Sequence, residues 1–151
     1  MHSPLNFLNQ IIGQRAGGSG SDQLFGGGGS DTYVFGTGDG LDVAYEYDGA
    51  VSPDTVRLAA GITPDAVTVT RDQSHLYLSL NGGADRLMLA NWFSGSAYQI
   101  GRVVFADGTT WGAEQLRSRI VIAPGTGGDD TIGGNDADNV IDGLGGNDWI
   151  Y

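Results

Sequence analysis

At both ends of the chain the apolar positions repeat with a period of nine. Residues 17–25 read GGSGSDQLF and residues 26–34 read GGGGSDTYV. Near the other end GTGGDDTIG (125–133), GNDADNVID (134–142) and GLGGNDWIY (143–151) follow one another without a gap. Each unit places an apolar residue at its eighth position: Leu24, Tyr33, Ile132, Ile141 and Ile150. Gly and small polar residues before it predict a tight turn, because Gly alone tolerates positive φ at little cost. The last three residues predict a short strand with the eighth side chain pointing inward. One such unit cannot bury its apolar residue alone, so the pattern requires stacked coils that share a column of apolar side chains.

The segment between these ends has a different period. Residues 54–111 contain DTVRLAAG, DAVTVTR, HLYLSLNGG, DRLMLANWF and YQIGRVVFADGTTW. Apolar and polar residues alternate in VTVTR and HLYLSL, which predicts half-buried strands. Asn81-Gly82 and Asp107-Gly108 each predict a hairpin turn. Ala113, Leu116 and Ile120 have helical spacing, so residues 112–120 read as one short helix. Leu5, Leu8, Ile11 and Ile12 have similar spacing in the lead segment, read as a short helix or strand docked on the first coil.

Charge separates the same regions. The chain has 151 residues and a net charge of −11. The middle, between Gly61 and Ala123, balances five acids against five arginines. The other thirteen of the eighteen acids lie in the glycine-rich flanks, against Arg15 and Arg57 alone. Acids packed into tight turns repel one another unless a cation neutralises them. Turn carbonyls and Asp oxygens converging between stacked turns form a set of hard ligands, which suits Ca²⁺ better than zinc or copper. The acidic balance argues against nucleic acid and anionic membranes as partners. Cysteine and lysine are absent, which excludes thiolate metal sites, disulfides, Schiff-base chemistry and a P-loop lysine. No run approaches the roughly 20 apolar residues of a membrane span.

The nonapeptides resemble the RTX (repeats-in-toxin) family, whose motif is G-G-x-G-x-D-x-U-x and whose fold is a calcium-loaded parallel β-roll. Residues 17–34 match closely. In the C-terminal three units Thr126, Asn135 and Leu144 replace the second Gly, and Ala137 replaces the fourth. TGDGLDVAY (37–45) and SPDTVRL (52–58) read as worn third and fourth units. The resemblance implies Ca²⁺ as cofactor, several ions in number, held between turns two repeats apart. It pairs Asp22 with Asp42, Asp31 with Asp54, and Asp130 with Asp148. Asn139 would then need a partner beyond Tyr151, and the chain is read as a piece of a longer array. Carbonyls of Gly18, Gly20, Gly27, Gly29, Gly38, Gly40, Thr126, Gly128 and Gly146 would complete the sites, with Asp39 and Asp129 as outer carboxylates.

The middle segment resembles the haemolysin-type calcium-binding related module, over roughly residues 30–118. That module caps a β-roll and can seed its folding; here a second array follows it. The resulting expectation is an all-β chain, a parallel β-roll flanking a β-rich, sandwich-like cap. Its parts are residues 1–16 (lead), 17–60 (first array), 61–123 (cap) and 124–151 (second array).

The function expected is a calcium-binding structural module of a secreted bacterial RTX protein that folds outside the cell. Its partners by family implication are adjoining RTX repeats and the type I secretion machinery. His2 and His75 form no motif, and there is no H-E-x-x-H or G-x-S-x-G, so no catalysis is expected of this stretch. The alternative is a calcium-stabilised carbohydrate- or surface-binding module using Trp92, Trp111 or Tyr98. Trp149, at a seventh position, is expected to face outward.

Overall fold

The computed structural model describes residues 14–15, 18–47, 54–122, 125–135 and 138–151. Chain order alternates between two sheets. The short strands β1 (Gln14–Arg15), β3 (Thr32–Phe35) and β5 (Thr55–Leu58) stack in parallel in one sheet. Strands β2 (Gln23–Phe25) and β4 (Leu41–Tyr45) pair in parallel in the other. This alternation is a β-roll, and the nine-residue period produces it. Six turn residues carry the chain from one sheet to the other, and three strand residues leave one inward side chain per repeat. Leu24, Tyr33, Ala44 and Val56 are that inward column, each at most 1% exposed.

The roll does not end where the repeats fade. Strand β8 (Asp85–Leu89) lies parallel to β4, and β9 (Arg102–Val104) lies parallel to β5. The sandwich-like cap is therefore a continuation of the roll's own two sheets. The second sheet is extended by an antiparallel meander, β6 (Thr68–Arg71), β7 (Leu76–Leu80) and β8. The Asn81–Gly83 turn joins β7 to β8, with Gly82 at φ 68° and Gly83 at φ 99°. The first sheet ends in the hairpin of β9 with β10 (Thr110–Gly112), turning at Gly108 with φ 95°. One helix, α1 (Ala113–Ser118), follows, with buried Leu116 facing the core.

A single apolar cluster fills the space between the sheets. Tyr33, Phe35, Val56, Leu58 and Val103 face Leu24, Leu76, Leu78, Leu87 and Leu89. Trp92 and Trp111 are 0% and 2% exposed. Trp92 donates from Nε1 to the Ile100 carbonyl (3.2 Å), and Trp111 packs edge-on against Phe105. Fully burying residues of this size contributes about 1.5–3 kcal/mol each. The ends of the alternation pattern thus become one core rather than two.

The second array forms its own parallel pair, β11 (Thr131–Ile132) and β12 (Trp149–Ile150). It docks on the cap through a hydrogen bond, from the Asn135 side-chain amide to the Ile120 carbonyl (2.7 Å), and through an aromatic contact. The Arg71 guanidinium lies over the Phe93 ring (3.5 Å) and the Tyr151 ring (4.5 Å). Ile132 is 1% exposed, but Ile150 is 49% exposed, because only β11 lies beside its strand. The expected inward column is thus incomplete in this array. Trp149 is 58% exposed. Of the lead segment only Gln14–Arg15 falls within the described residues. Among them no helix is long and apolar enough to cross a membrane.

Candidate metal centres

The turns of the first array are shaped by glycines that no other residue replaces cheaply. Gly18, Gly20, Gly27, Gly29, Gly38 and Gly40 all have φ between 76° and 107°. At Gly40 a side chain would also run into the Gly20 carbonyl of the preceding coil. Successive turns are in van der Waals contact there, and their polar groups share one narrow layer.

Besides the backbone ladders, one kind of side-chain bond recurs between successive coils. The Asp22 amide donates to Asp42 Oδ1 (3.0 Å), and the Asp31 amide donates to Asp54 Oδ1 (2.8 Å). In the second array the Asp130 amide donates to Asp148 Oδ1 (3.0 Å). The three aspartate pairs that the family resemblance implies are thus neighbours in space. The four carboxylates of the two first-array pairs are buried, at 1–4% exposure. Asp42 Oδ2 is buried without a hydrogen-bond partner. An orphaned carboxylate oxygen is costly unless a proton or a cation meets it. Burial first, and then the charges of Asp22, Asp39 and Asp85, push the Asp42 carboxyl up to about 7, against the bond from the Asp22 amide.

A second group was not foreseen from the sequence. Asp31, Asp54 and Glu46 bring carboxylate oxygens within 4.8 Å of one another, all three buried. Glu46 directly follows β4, where a regular repeat would have its first glycine. It stacks beside Gly26, the true first-position glycine of the neighbouring coil. A Cβ on Gly26 would lie 2.7 Å from Asp31 Oδ2 and 2.8 Å from Glu46 Oε2, so the missing side chain leaves room for these oxygens. The Tyr33 hydroxyl donates at 2.9 Å to Glu46 Oε2. Burial pushes the Glu46 carboxyl up to about 8, with the Tyr33 bond opposing and the charges of Asp54 and Asp31 adding. Burial, and then Glu46, hold the Tyr33 phenol far above its ordinary value. Hard oxygens, high negative charge and little water form a donor set that fits Ca²⁺.

The second array differs in kind. Asp130 and Asp148 are half-exposed. Asp130 is held within its own turn, accepting from the Thr126 amide (2.7 Å) and hydroxyl. Asp129 accepts from the Asn147 amide (2.8 Å), and Asp39 in the first array accepts from the Gly36 amide (2.8 Å). Gly146 has φ 99°, whereas Gly128 has no positive φ and Leu144 takes φ 63° instead. Asn139 bonds locally with Asn135, through the Asn135 amide (2.8 Å) and side chain.

The aromatic residues separate into two groups. Trp92 and Trp111 belong to the core, so neither presents a face to a sugar. Tyr98 does border a surface cleft of about 340 Å³, with Phe25, Tyr45, Tyr47, Glu46 and Asn91. Phe25 and Tyr45 are stacked at 4.8 Å with planes 7° apart.

Comparison with known proteins points to the same regions. Residues 16–41 and 124–151 match the RTX calcium-binding nonapeptide repeat. Residues 75–115 match the haemolysin-type calcium binding protein related domain. Over 81 residues the chain is 36% identical to the iron-regulated protein FrpA of Neisseria meningitidis serogroup C. That stretch covers 51% of this chain, and 7% of the length of that protein.

Proposed function

We propose that this chain, which belongs to the RTX calcium-binding repeat proteins and carries their haemolysin-type module between two arrays, folds by binding Ca²⁺ outside the cell. Calcium binding is the property of the repeats, and its coupling to folding and secretion is the proposal. The observation that carries it is the buried Asp31–Glu46–Asp54 group, whose oxygens lie within 4.8 Å of one another. Three buried carboxylates this close oppose folding when ionised and favour it when a divalent cation joins them. The ions would sit between the turns, held by Asp22 and Asp42, by Asp31, Glu46 and Asp54, and by Asp130 and Asp148. Turn carbonyls of Gly18, Gly20, Gly27, Gly29, Gly38, Thr126, Gly128 and Gly146 would complete the shells, whereas the Gly40 carbonyl instead accepts from the Arg86 amide (2.8 Å) on the β8 side.

Extracellular calcium modules have dissociation constants of about 10⁻⁴–10⁻³ M. A tenfold excess of ion stabilises the fold by about 1.4 kcal/mol per site. A few such sites rival the whole stability of a small domain, about 5 kcal/mol at the low end. The same chain in a calcium-poor compartment loses that contribution. This fits export unfolded through a type I route and folding afterwards. Isothermal titration of chelator-treated protein with Ca²⁺ tests the site assignment. Saturable binding, weakened in Asp54→Asn and absent with Mg²⁺ at equal concentration, is expected; equal binding by Asp54→Asn overturns it.

A second reading has one observation in its favour. The stacked Phe25 and Tyr45 rings, with Tyr47 and Tyr98 packed at 5.1 Å, offer aromatic faces beside the Asn91 amide. A neutral sugar ring is the ligand such a platform suits on so acidic a surface. Binding to a glycan array that Tyr47→Ala abolishes, with calcium binding intact, supports this reading. No binding to any neutral glycan overturns it.

A further inference from the structure

Asp85 departs from the bonding pattern of the coils. Asp42 and Asp54 each take one amide of the preceding coil, that of the matching aspartate. Asp85 comes from the cap module, at the start of β8, and is 6% exposed. In the β4–β8 register Leu41 faces Arg86, so Asp85 falls beside Gly40. Its carboxylate accepts from two amides of the turn that ends the first array. Oδ2 accepts from Gly38 and Oδ1 from Gly40, each at 3.0 Å. Both glycines have positive φ, 91° and 86°, so this turn is costly to order.

The peptide geometry gives these bonds a consequence. In a trans peptide the N–H and the preceding C=O point in opposite directions. No cis peptide occurs among the described residues. Holding the Gly38 and Gly40 amides on Asp85 therefore turns the carbonyls of Thr37 and Asp39 away from Asp85. The preceding coil lies on that side, because β4 has β8 on one flank and β2 on the other. Gly40 packs there against the Gly20 carbonyl, and Asp42 reaches there to the Asp22 amide. Asp42 also keeps its buried, partnerless Oδ2.

We infer that Asp85 is a positioning residue for the cation site between the 18–22 and 37–42 turns. The cap module donates a fixed carboxylate that presets the upper turn before any ion arrives. Binding at this site then orders only the lower turn, so it is the tightest of the chain and fills first. The cap contributes a built-in anion to the array, and array and cap are coupled through it. This rests on the calcium reading above.

The test uses the full chain and Ca²⁺ itself. Asp85→Asn keeps the shape but one acceptor oxygen. Calorimetry is expected to show the tightest class weakened at least tenfold, with the weaker classes unchanged. Trp92 and Trp111 emission in saturating calcium should match the wild type, because neither ring touches the turn. A wild type that binds calcium while Asp85→Asn keeps the same tightest affinity overturns the inference alone. A wild type that binds no calcium overturns the calcium reading and the inference with it. Amide hydrogen exchange in chelator at about pH 5.5, where protonated carboxyls favour the calcium-free fold, gives an independent readout should the variant fail to fold. Protection of Gly38 and Gly40 beyond that of Gly18, Gly20, Gly27 and Gly29 is expected in the wild type; equal exchange at all six refutes the inference.

Discussion

Replacing Glu46 by Gln separates the proton from the calcium at the buried three-carboxylate group. Glu46 has an ordinary value of 4.5 and is pushed up to about 8 in the fold. The folded state therefore holds a proton that the unfolded state has released, throughout the window from about 4.5 to 8. Stability without calcium must fall as pH rises through that window. Between pH 5.5 and pH 8 the proton that Glu46 shares with its carboxylate neighbours is worth on the order of a few kcal/mol. Asp42, raised from 3.8 to about 7, removes about 2 kcal/mol over the same interval by the same linkage. Gln is uncharged and its carbonyl still accepts from the Tyr33 hydroxyl, so the variant should lose Glu46's share of the slope and keep that of Asp42. The assay is urea denaturation in chelator, followed by tryptophan emission, at several pH values across this range. The wild type should become steadily less stable with rising pH, and Glu46→Gln much less steeply. At pH 8 the variant should be the more stable without calcium and the weaker binder with it. Parallel pH slopes for the two proteins would refute the reasoning, because the Glu46 proton would then have no connection with the fold.

Other substitutions probe the remaining parts. Gly40→Ala places a Cβ at φ 86° against the Gly20 carbonyl and should cost about 2 kcal/mol or more, read as a higher calcium midpoint; Gly28→Ala, with open space around it, should change stability by less than about 0.5 kcal/mol. Arg71→Ala removes the contacts with Phe93 and Tyr151 and should loosen the second array by about 1–2 kcal/mol, seen as faster amide exchange at Thr131 and Ile132 with the cap unaffected. Asp148→Asn should weaken a low-affinity calcium class only, because its partner Asp130 is half-exposed and already held by Thr126. A calorimetric loss of the tightest class in that variant would contradict the difference between the two arrays.

The nine-residue period made the roll legible because it dictates both the turn and the inward residue. Leu24, Tyr33 and Ile132 are buried as that period requires. The family resemblance implied the pairs Asp22 with Asp42 and Asp31 with Asp54, and each pair is adjacent even though the downstream units are degenerate. The motif marks sixth-position aspartates as ligands, and Glu46 lies outside it, in a first-position glycine slot. The available signal was a Glu where the repeat demands the residue with no side chain. Asp85 escaped because it follows a hairpin and meets its turn 45 and 47 residues away in sequence. The balanced charge of the middle segment also made it look uninvolved in the acidic sites. Alternation in 54–111 gave the strands, yet not their pairing, which splits them between the two existing sheets. Ile150 shows the opposite limit, where the motif is intact but the next layer of packing is missing.

Calcium-dependent folding is tested most directly by far-UV circular dichroism at pH 8, titrating from chelator to about 10 mM Ca²⁺ with Mg²⁺ in parallel. The carboxylate geometry predicts a cooperative gain of β signal with calcium and none with magnesium. A full β spectrum in chelator, unchanged by calcium, would contradict it and leave the shared core of the roll and cap as sufficient for the fold.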